Sequence, residues 1–520
     1  MKPLPKFLII AAIVGLPIFG FYYFKDTAFV KNILPSSKQS QTVNVDVGKT
    51  TAPSSAKVST PTKKPISVCV VTWGGYAGAQ YFNEGFSAST NSRYYKDYGI
   101  MVDFKVIEDR DPTLAAWKAD ECHVMWATAD ALPTEINGLM PFDPRVVMQA
   151  DWSRRGDVAV GTREIRSVNN LKGKKVALLL KSPSNTLLLW MLEAAGMNYN
   201  DVVVVSAPSA PDAAKYFKAN QVDAAVVWSP DDEDILANVP GSRVLASTGE
   251  ASHIIPDIFL VKKSFIDNNR ESVKVLIEGW LRGNAEINSN PAAKTKAVKI
   301  LAAGLNQPED FIAKAIANVR LVTYEDNVNF FNLRGGYQGV KGEDVYTKMS
   351  RVYNSVGLAP ANVPSWRSVV DTSLLREIKL EGPEHAAEVV AFTKATEAEA
   401  TAPAYATKSV SVKFPSGSYV LDENAKTVID NAMATLAKGL GYSRLRAEGN
   451  TDDVGDLKMN MSLSARRAQA VVDYLVNQYG FDRNRFVVVG NGPNKPVADN
   501  ATESGRAKNR RTDFEFLRNN

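Results

Sequence analysis

The chain has 520 residues, 45% of them apolar and 22% charged. At roughly 150 residues per domain this length predicts three or four domains, and the composition excludes global disorder, collagen and a polytopic membrane protein. The net charge is +5, and residues 25–65 hold a surplus of that size alone, with seven lysines against Asp26 and Asp46. The remainder is near neutral, which argues against a nucleic-acid binder with its concentrated basic face. Cys69 and Cys122 are the two cysteines. They exclude a disulfide framework and a cysteine-rich metal site, and leave room for one bridge.

Residues 7–24, FLIIAAIVGLPIFGFYYF, are apolar and uncharged. As a helix they would reach about 27 Å against a hydrocarbon core of about 30 Å, with Tyr22 and Tyr23 at one interface. No A-x-A site follows, so residues 1–24 read as an uncleaved signal anchor and transmembrane helix rather than a cleaved leader. Lys2 and Lys6 are balanced by Lys25 and Lys31, so flanking charge leaves the topology open. Residues 25–65 are rich in Ser, Thr, Lys and Pro and read as a disordered linker with an average span of roughly 35 Å.

From Ile66 short β-branched runs alternate with helical stretches. SVCVVTW, MVDFKVI, CHVMWA, VAVGT, KKVALLL, DVVVVSA, VDAAVVW and SRVLAST are the strands, and SPSNTLLLWMLEAAG and APDAAKYFKAN are among the helices. This alternation predicts a mostly parallel sheet with helices on both faces, and ligand outside the carboxyl ends of the strands. The loops at those ends hold Gly74, Gly75 and Tyr76, then Thr128 and Asp130, then Ser182, Ser184, Asn185 and Thr186, then Trp228. Small residues at helix starts leave backbone N–H groups free and favour an anionic or strongly polar ligand. Trp73, Tyr76, Trp126 and Trp228 would give it apolar walls. Each has a plainer use as well, Ser184 as a helix cap and the tryptophans as core.

TWGGYAG, DPTLAAWKADECHVMWA, SVNNLKGKKVALLLKSPSNTLLLWMLEAAGM, AAKYFKANQVDAAVVWSPD and the return segment IIPDIFLVKKSFIDNNRESVKVLIEGWLRG follow one another in order. This order resembles the two-lobed periplasmic solute-binding proteins of ABC importers, of the nitrate, sulfonate and thiamine-precursor group. The resemblance covers residues 66–375 and implies a two-lobed α/β fold. Lobe 1 would be about 66–155 and 253–375, lobe 2 about 158–250, with the loop residues above and Asp257 on the return crossover as the solute site. A hydrolase is poorly supported: only His123, His253 and His385 occur, and no serine lies in a G-x-S-x-G elbow. Binding without catalysis is the expectation, with no cofactor. The acidic run Asp231 to Asp234 reads as solvated surface rather than metal ligands. Cys69 and Cys122 each begin a strand, and stand as either a bridge or two buried thiols.

Residues 376–407, rich in Ala and Glu, read as a second linker. A β-α-β-α-β-β plan follows over 408–520: VSVKFPSGSYVLD, ENAKTVIDNAMATLAKGL, SRLRAEGN, MSLSARRAQAVVDYLVNQYG, NRFVVVGNG and RRTDFEFL. EGNTDDVG, N-x-x-L-S-x-x-R-A from Asn460 to Ala468, GNGPNKP and NATESGRAKNRR make this region similar to the OmpA-like peptidoglycan-binding domain. That resemblance implies a ligand pair at Asp452 and Arg467, with Thr451, Asn460 and Leu463 shaping the pocket. A carboxylate and a guanidinium fork together satisfy the ammonium and carboxylate of a diaminopimelate stem peptide. Arg510 and Arg511 match the family's terminal arginine pair, either as internal salt bridges or as ligand contacts. The family's Gly-His-Thr-Asp is here Gly449-Asn450-Thr451-Asp452.

Peptidoglycan implies the periplasm, and so a single-pass inner-membrane protein with its N-terminus inside. The expected partners are peptidoglycan, a small-molecule solute and an ABC permease, and not nucleic acid. The alternatives are a ligand sensor, a structural envelope protein and a catalytic member of the solute-binding fold. A motor stator is disfavoured because residues 7–24 contain no acid.

Overall fold

The computed structural model describes residues 53–61, 64–415 and 417–518. The apolar run 7–24 and most of the first linker lie outside the described residues, among which no helix is long and apolar enough to cross a membrane.

Fifteen strands build three sheets among the described residues. The first contains β1 (Ile66–Val70), β2 (Val102–Val106), β3 (Val124–Thr128), β4 (Pro144–Ser153), β10 (Pro256–Lys262) and β11 (Val319–Leu321), in the order β11-β4-β10-β3-β1-β2. The second contains β5 (Asp157–Gly161), β6 (Lys175–Leu179), β7 (Val203–Ala207), β8 (Ala224–Trp228) and β9 (Arg243–Ser247), in the order β7-β6-β8-β5-β9. These are two α/β lobes. The chain crosses between them at 154–156 and returns at 248–255.

The expectation of mostly parallel sheets is corrected. β1 is parallel to β2 and β3, and β6 to β7 and β8, but β4, β5, β9, β10 and β11 pair antiparallel. The strands that carry the crossovers run between lobes, not up from a helix, and so enter each sheet in the opposite sense. β10 is buried along all seven residues, and packs against the helix Lys263–Ser289, whose Leu276, Trp280 and Leu281 reach the lobe core.

Both linker readings also need correction. Residues 53–61 do not float free of lobe 1: the Ser54 and Ser55 amides donate to Glu278 Oε1 at 2.6 and 3.2 Å, and the Val58 amide to the Tyr98 carbonyl at 2.8 Å. Residues 376–407 are irregular in backbone but seated, with His385, Phe392 and Tyr405 buried. Their low apolar content hid this, because the seating uses polar backbone partners. The Glu388 amide donates to Asp326 Oδ1 at 2.7 Å and the Phe392 amide to Asp482 Oδ2 at 3.0 Å.

The third sheet has the order β12-β15-β13-β14, from β12 (Ala406–Val410), β13 (Arg444–Asn450), β14 (Phe486–Gly492) and β15 (Thr512–Leu517). Its first strand lies a few residues before the predicted one. Helical turns over 423–439 and the helix Leu457–Tyr479 cover one face. This domain packs on lobe 2. Leu188 and Trp190 of the helix Pro183–Ala194 share one apolar cluster with Met433, Leu436 and Leu440. Gly439 permits the approach, since a Cβ there would lie 2.2 Å from the Trp190 ring.

Candidate functional sites

A cleft of about 700 Å³ opens between the lobes. Residues following all six parallel strands line it: Thr72, Trp73 and Tyr76 after β1, Glu108 to Asp111 after β2, Thr128 at the end of β3, Ser182 after β6, Ser209 after β7 and Trp228 ending β8. Asp157, Ile255 and Asp257, at the crossovers, complete it. Of the sequence candidates, Tyr76, Thr128, Ser182, Trp228 and Asp257 share this wall, as do Trp73 and Trp126.

The other candidates sit behind it. Gly74 and Gly75 are packing positions: a Cβ would lie 2.2 Å from the Ala315 carbonyl oxygen at the first and 1.8 Å from Asp151 Oδ2 at the second. Asn185 Oδ1 accepts the Lys181 amide at 3.2 Å, and the Thr186 hydroxyl shares a hydrogen bond of 2.7 Å with the Tyr353 hydroxyl. Ser184 and Asp130 are fully buried, and neither Ser184 Oγ nor either Asp130 carboxylate oxygen has a hydrogen-bond partner. Burial pushes the Asp130 carboxyl up to about 7, and the nearby Thr186 and Thr128 hydroxyls offset only part of the rise.

Sequence reasoning missed the acidity of this wall. Thr128, Asp257 and Asp151 form a row across β3, β10 and β4, because Asp257 is the register partner of both. Tyr76 donates its hydroxyl to Asp257 Oδ2 at 2.5 Å, the Trp73 indole N–H to Asp151 Oδ2 at 3.2 Å, and Ser153 Oγ to Asp157 Oδ2 at 2.7 Å. Burial and then the charge of Asp257 raise Asp151; burial raises Asp257, with Asp157 and Asp130 adding to it. Asp157 is pushed up to about 7, again by burial first. Asp157 stands directly after Gly156 at the lobe crossing, which was the available signal. The guanidinium of Arg110 is spent on the Glu135 carboxylate and the Trp126 carbonyl. Helix starts pointed to an anion; the carboxylates on the same wall oppose one.

The second site is the far end of the C-terminal sheet. Asp452 follows β13, and its Oδ2 accepts from Arg510 at 2.6 Å. Arg467, on the helix Leu457–Tyr479, donates to the Ser418 and Pro415 carbonyls at 3.0 and 3.4 Å and lies 5.0 Å from the Phe414 ring. Among the described residues Arg467 has no carboxylate within ion-pair distance, though the Asp452 charge acts on it; burial lowers its pKa. Thr451 is buried with Oγ1 unpartnered, Asn460 Nδ2 donates to the Val454 carbonyl at 3.0 Å, and Leu463 is half-buried beside them on the helix. Arg510 and Arg511 both make internal salt bridges, to Asp452 and Glu503 and to Asp513. Asn450 is held in the sheet network, donating to Asp513 Oδ2 at 3.0 Å.

Two family models match the chain: OmpA family over residues 413–510, and NMT1/THI5 like over residues 148–294. Residues 148–294 are thus similar to the NMT1/THI5 like family and residues 413–510 to the OmpA family. Outer membrane porin F of Pseudomonas aeruginosa is 45% identical over 104 residues, which are 20% of this chain and 29% of that protein. Peptidoglycan-binding protein ArfA of Mycobacterium tuberculosis is 42% identical over 84 residues, 16% of this chain and 26% of that protein. The chain thus spans less than a third of the length of either relative. Among solved structures, the periplasmic aliphatic sulphonate binding protein SsuA from Escherichia coli aligns with a TM-score of 0.47 at 17% identity, covering 65% of this chain and 98% of that one.

Proposed function

We propose that this is an envelope protein that captures a small polar solute by closing two lobes and holds peptidoglycan at its other end. Residues 7–24 anchor it in the inner membrane with the N-terminus inside, residues 25–52 give it reach, and an ABC permease receives the solute. Release, not turnover, ends the cycle. The domains of this reading are the solute-binding part, 66–375, and the peptidoglycan-binding part, 408–520.

One observation carries the reading of the C-terminal site. Among the described residues Arg467 has carbonyl hydrogen-bond partners only, beside an Asp452 carboxylate paired with one arginine. A stem-peptide carboxylate would complete the first, and its ammonium the second. Each charged hydrogen bond adds about 1.5–3 kcal/mol, so losing one weakens attachment by tenfold or more. The full chain is expected to sediment with isolated murein, and Asp452→Ala and Arg467→Ala each to release most of it. Unchanged sedimentation of both variants would remove the peptidoglycan assignment.

A further inference from the structure

The cleft is lined by six carboxylates, Glu108, Asp109, Asp111, Glu135, Asp157 and Asp257, against two cations, Arg110 and Lys181. Arg110 is already neutralised by Glu135, and Lys181 is exposed at the rim. The deeper pair, Asp157 and Asp257, is 2% and 4% exposed. Each accepts one hydroxyl on Oδ2, and among the described residues each Oδ1 has no protein hydrogen bond and neither side chain has a lysine, arginine or histidine in ion-pair distance. Thr128, 5% exposed and lining the same wall, has its Oγ1 without a partner. Buried carboxylates are ordinarily paired with a cation, and no side chain among the described residues supplies that counter-charge to Asp157 or Asp257.

The remaining lining decides what kind of cation would supply it. Trp73, Tyr76, Trp126 and Trp228 line the cleft, Tyr76 fully buried and the Trp126 ring with the Arg110 guanidinium 4.8 Å from its centre. Aromatic faces such as those of Trp73 and Trp228 attract ammonium groups while excluding water from an apolar body. A volume of about 700 Å³ is that of a small-molecule site, far larger than a bare ion needs. No group of three or more metal-ligating side chains occurs among the described residues. A small inorganic anion or a sulfonate would instead lie against Asp157 and Asp257 with no free cation at that depth among the described residues.

We propose that the cleft takes an organic cation, a protonated or quaternary amine on an apolar body, with the charge between Asp157 and Asp257 and the body against the aromatic walls. This rests on the cleft being the solute site. The carboxyls of Asp157 and Asp257, raised by burial, support it, because an arriving ammonium replaces the protons that burial retains there.

The test uses the full chain, titrated calorimetrically and by tryptophan fluorescence with choline, benzyltrimethylammonium, 1,5-diaminopentane and spermidine. The neutral isostere 3,3-dimethylbutan-1-ol and the anions ethanesulfonate, nitrate and phosphate are run alongside. At least one amine is expected to bind, its affinity falling tenfold or more in Asp157→Asn and in Asp257→Asn, with the isostere at least tenfold weaker than choline if choline is the binder. Melting temperatures of the unliganded variants at or above that of the parent chain show that the fold is kept. Binding of an anion and of no amine overturns the charge assignment and leaves the solute-binding reading in place. Amine binding that both variants retain overturns the placement. No binding from either series overturns both.

Discussion

Asp157 in the cleft and Asp130 behind it show what burying a carboxyl costs the protein. Burial pushes both carboxyls up to about 7, whereas an unfolded aspartate titrates near ~4. Between those values the folded chain keeps protons that the unfolded chain has released. The stability from these groups is therefore full below about pH 4 and is lost as pH rises towards 7. His123, His253 and His385 act in the opposite sense: burial lowers all three, so their contribution is present above about pH 6.5 and is lost as pH falls. A whole-protein pH profile mixes the two, and a variant separates them. Asp157→Asn keeps an acceptor for Ser153 and cannot ionise. Its stability relative to the parent chain should rise by about 2 kcal/mol or more between pH 5 and pH 8, at up to about 1.4 kcal/mol per pH unit. Paired urea titrations at the two pH values measure this; a flat difference would mean an ordinary carboxyl at 157.

At the scale of elements, β1 and β3 are parallel neighbours, and a disulfide joins Cys69 in β1 to Cys122 just before β3, with Cα atoms 5.7 Å apart. The bond resolves the open choice between bridge and thiols, and it belongs to an oxidising compartment. It closes a loop with a sequence separation of 53, for which a loss of about 2–4 kcal/mol is expected when Cys69 and Cys122 are both replaced by Ala. A lower urea midpoint is the expected result, with a steeper slope because the unfolded chain without the cross-link is less compact and exposes more surface. The sequence made these strands easy to place, because five-residue apolar runs bounded by helices have few other uses. β4 was harder to see: PRVVMQADWS interrupts its apolar run with Gln149 and Asp151, both fully buried, and the sheet partners only one end of each: Gln149 Nε2 donates to the Asp151 carbonyl and Asp151 Oδ2 accepts from Trp73, while Gln149 Oε1 and Asp151 Oδ1 have no partner. The aromatic walls of the cleft were legible from their common position after parallel strands. Its charge was not, since Asp157 and Asp151 lie on antiparallel strands, outside the loops where parallel-sheet reasoning looks. Seating of the connector over 376–407 was equally hidden, depending on partners distant in the chain rather than on its own composition.

Across the whole molecule, the two lobe crossings, the connector and the C-terminal domain meet at one ion pair. Arg154, on the first crossing, donates to the Ser252 carbonyl on the second and to Glu388 Oε2 of the connector at 2.5 Å. Glu388 Oε1 accepts the Tyr442 hydroxyl of the C-terminal domain at 3.0 Å, and the His253 amide donates to the Gly439 carbonyl at 3.0 Å. Burial would raise the Glu388 carboxyl, but its His253 contact and the Arg154 charge outweigh that and hold it well below the usual range. The proposed peptidoglycan site is at the other end of β13, whose seven residues at about 3.3 Å each place it some 20 Å away. The Glu388 contact and the proposed peptidoglycan site thus stand at opposite ends of the same domain. Glu388→Ala leaves Arg154 without its carboxylate in a largely buried position, a loss of about 3 kcal/mol. Amide exchange should quicken at the crossings, the connector and residues 439–442, while murein sedimentation by the full chain stays at the parent level. Faster exchange at 451–467 as well would show that the two ends of the domain move as one and that the ion pair supports the binding site directly.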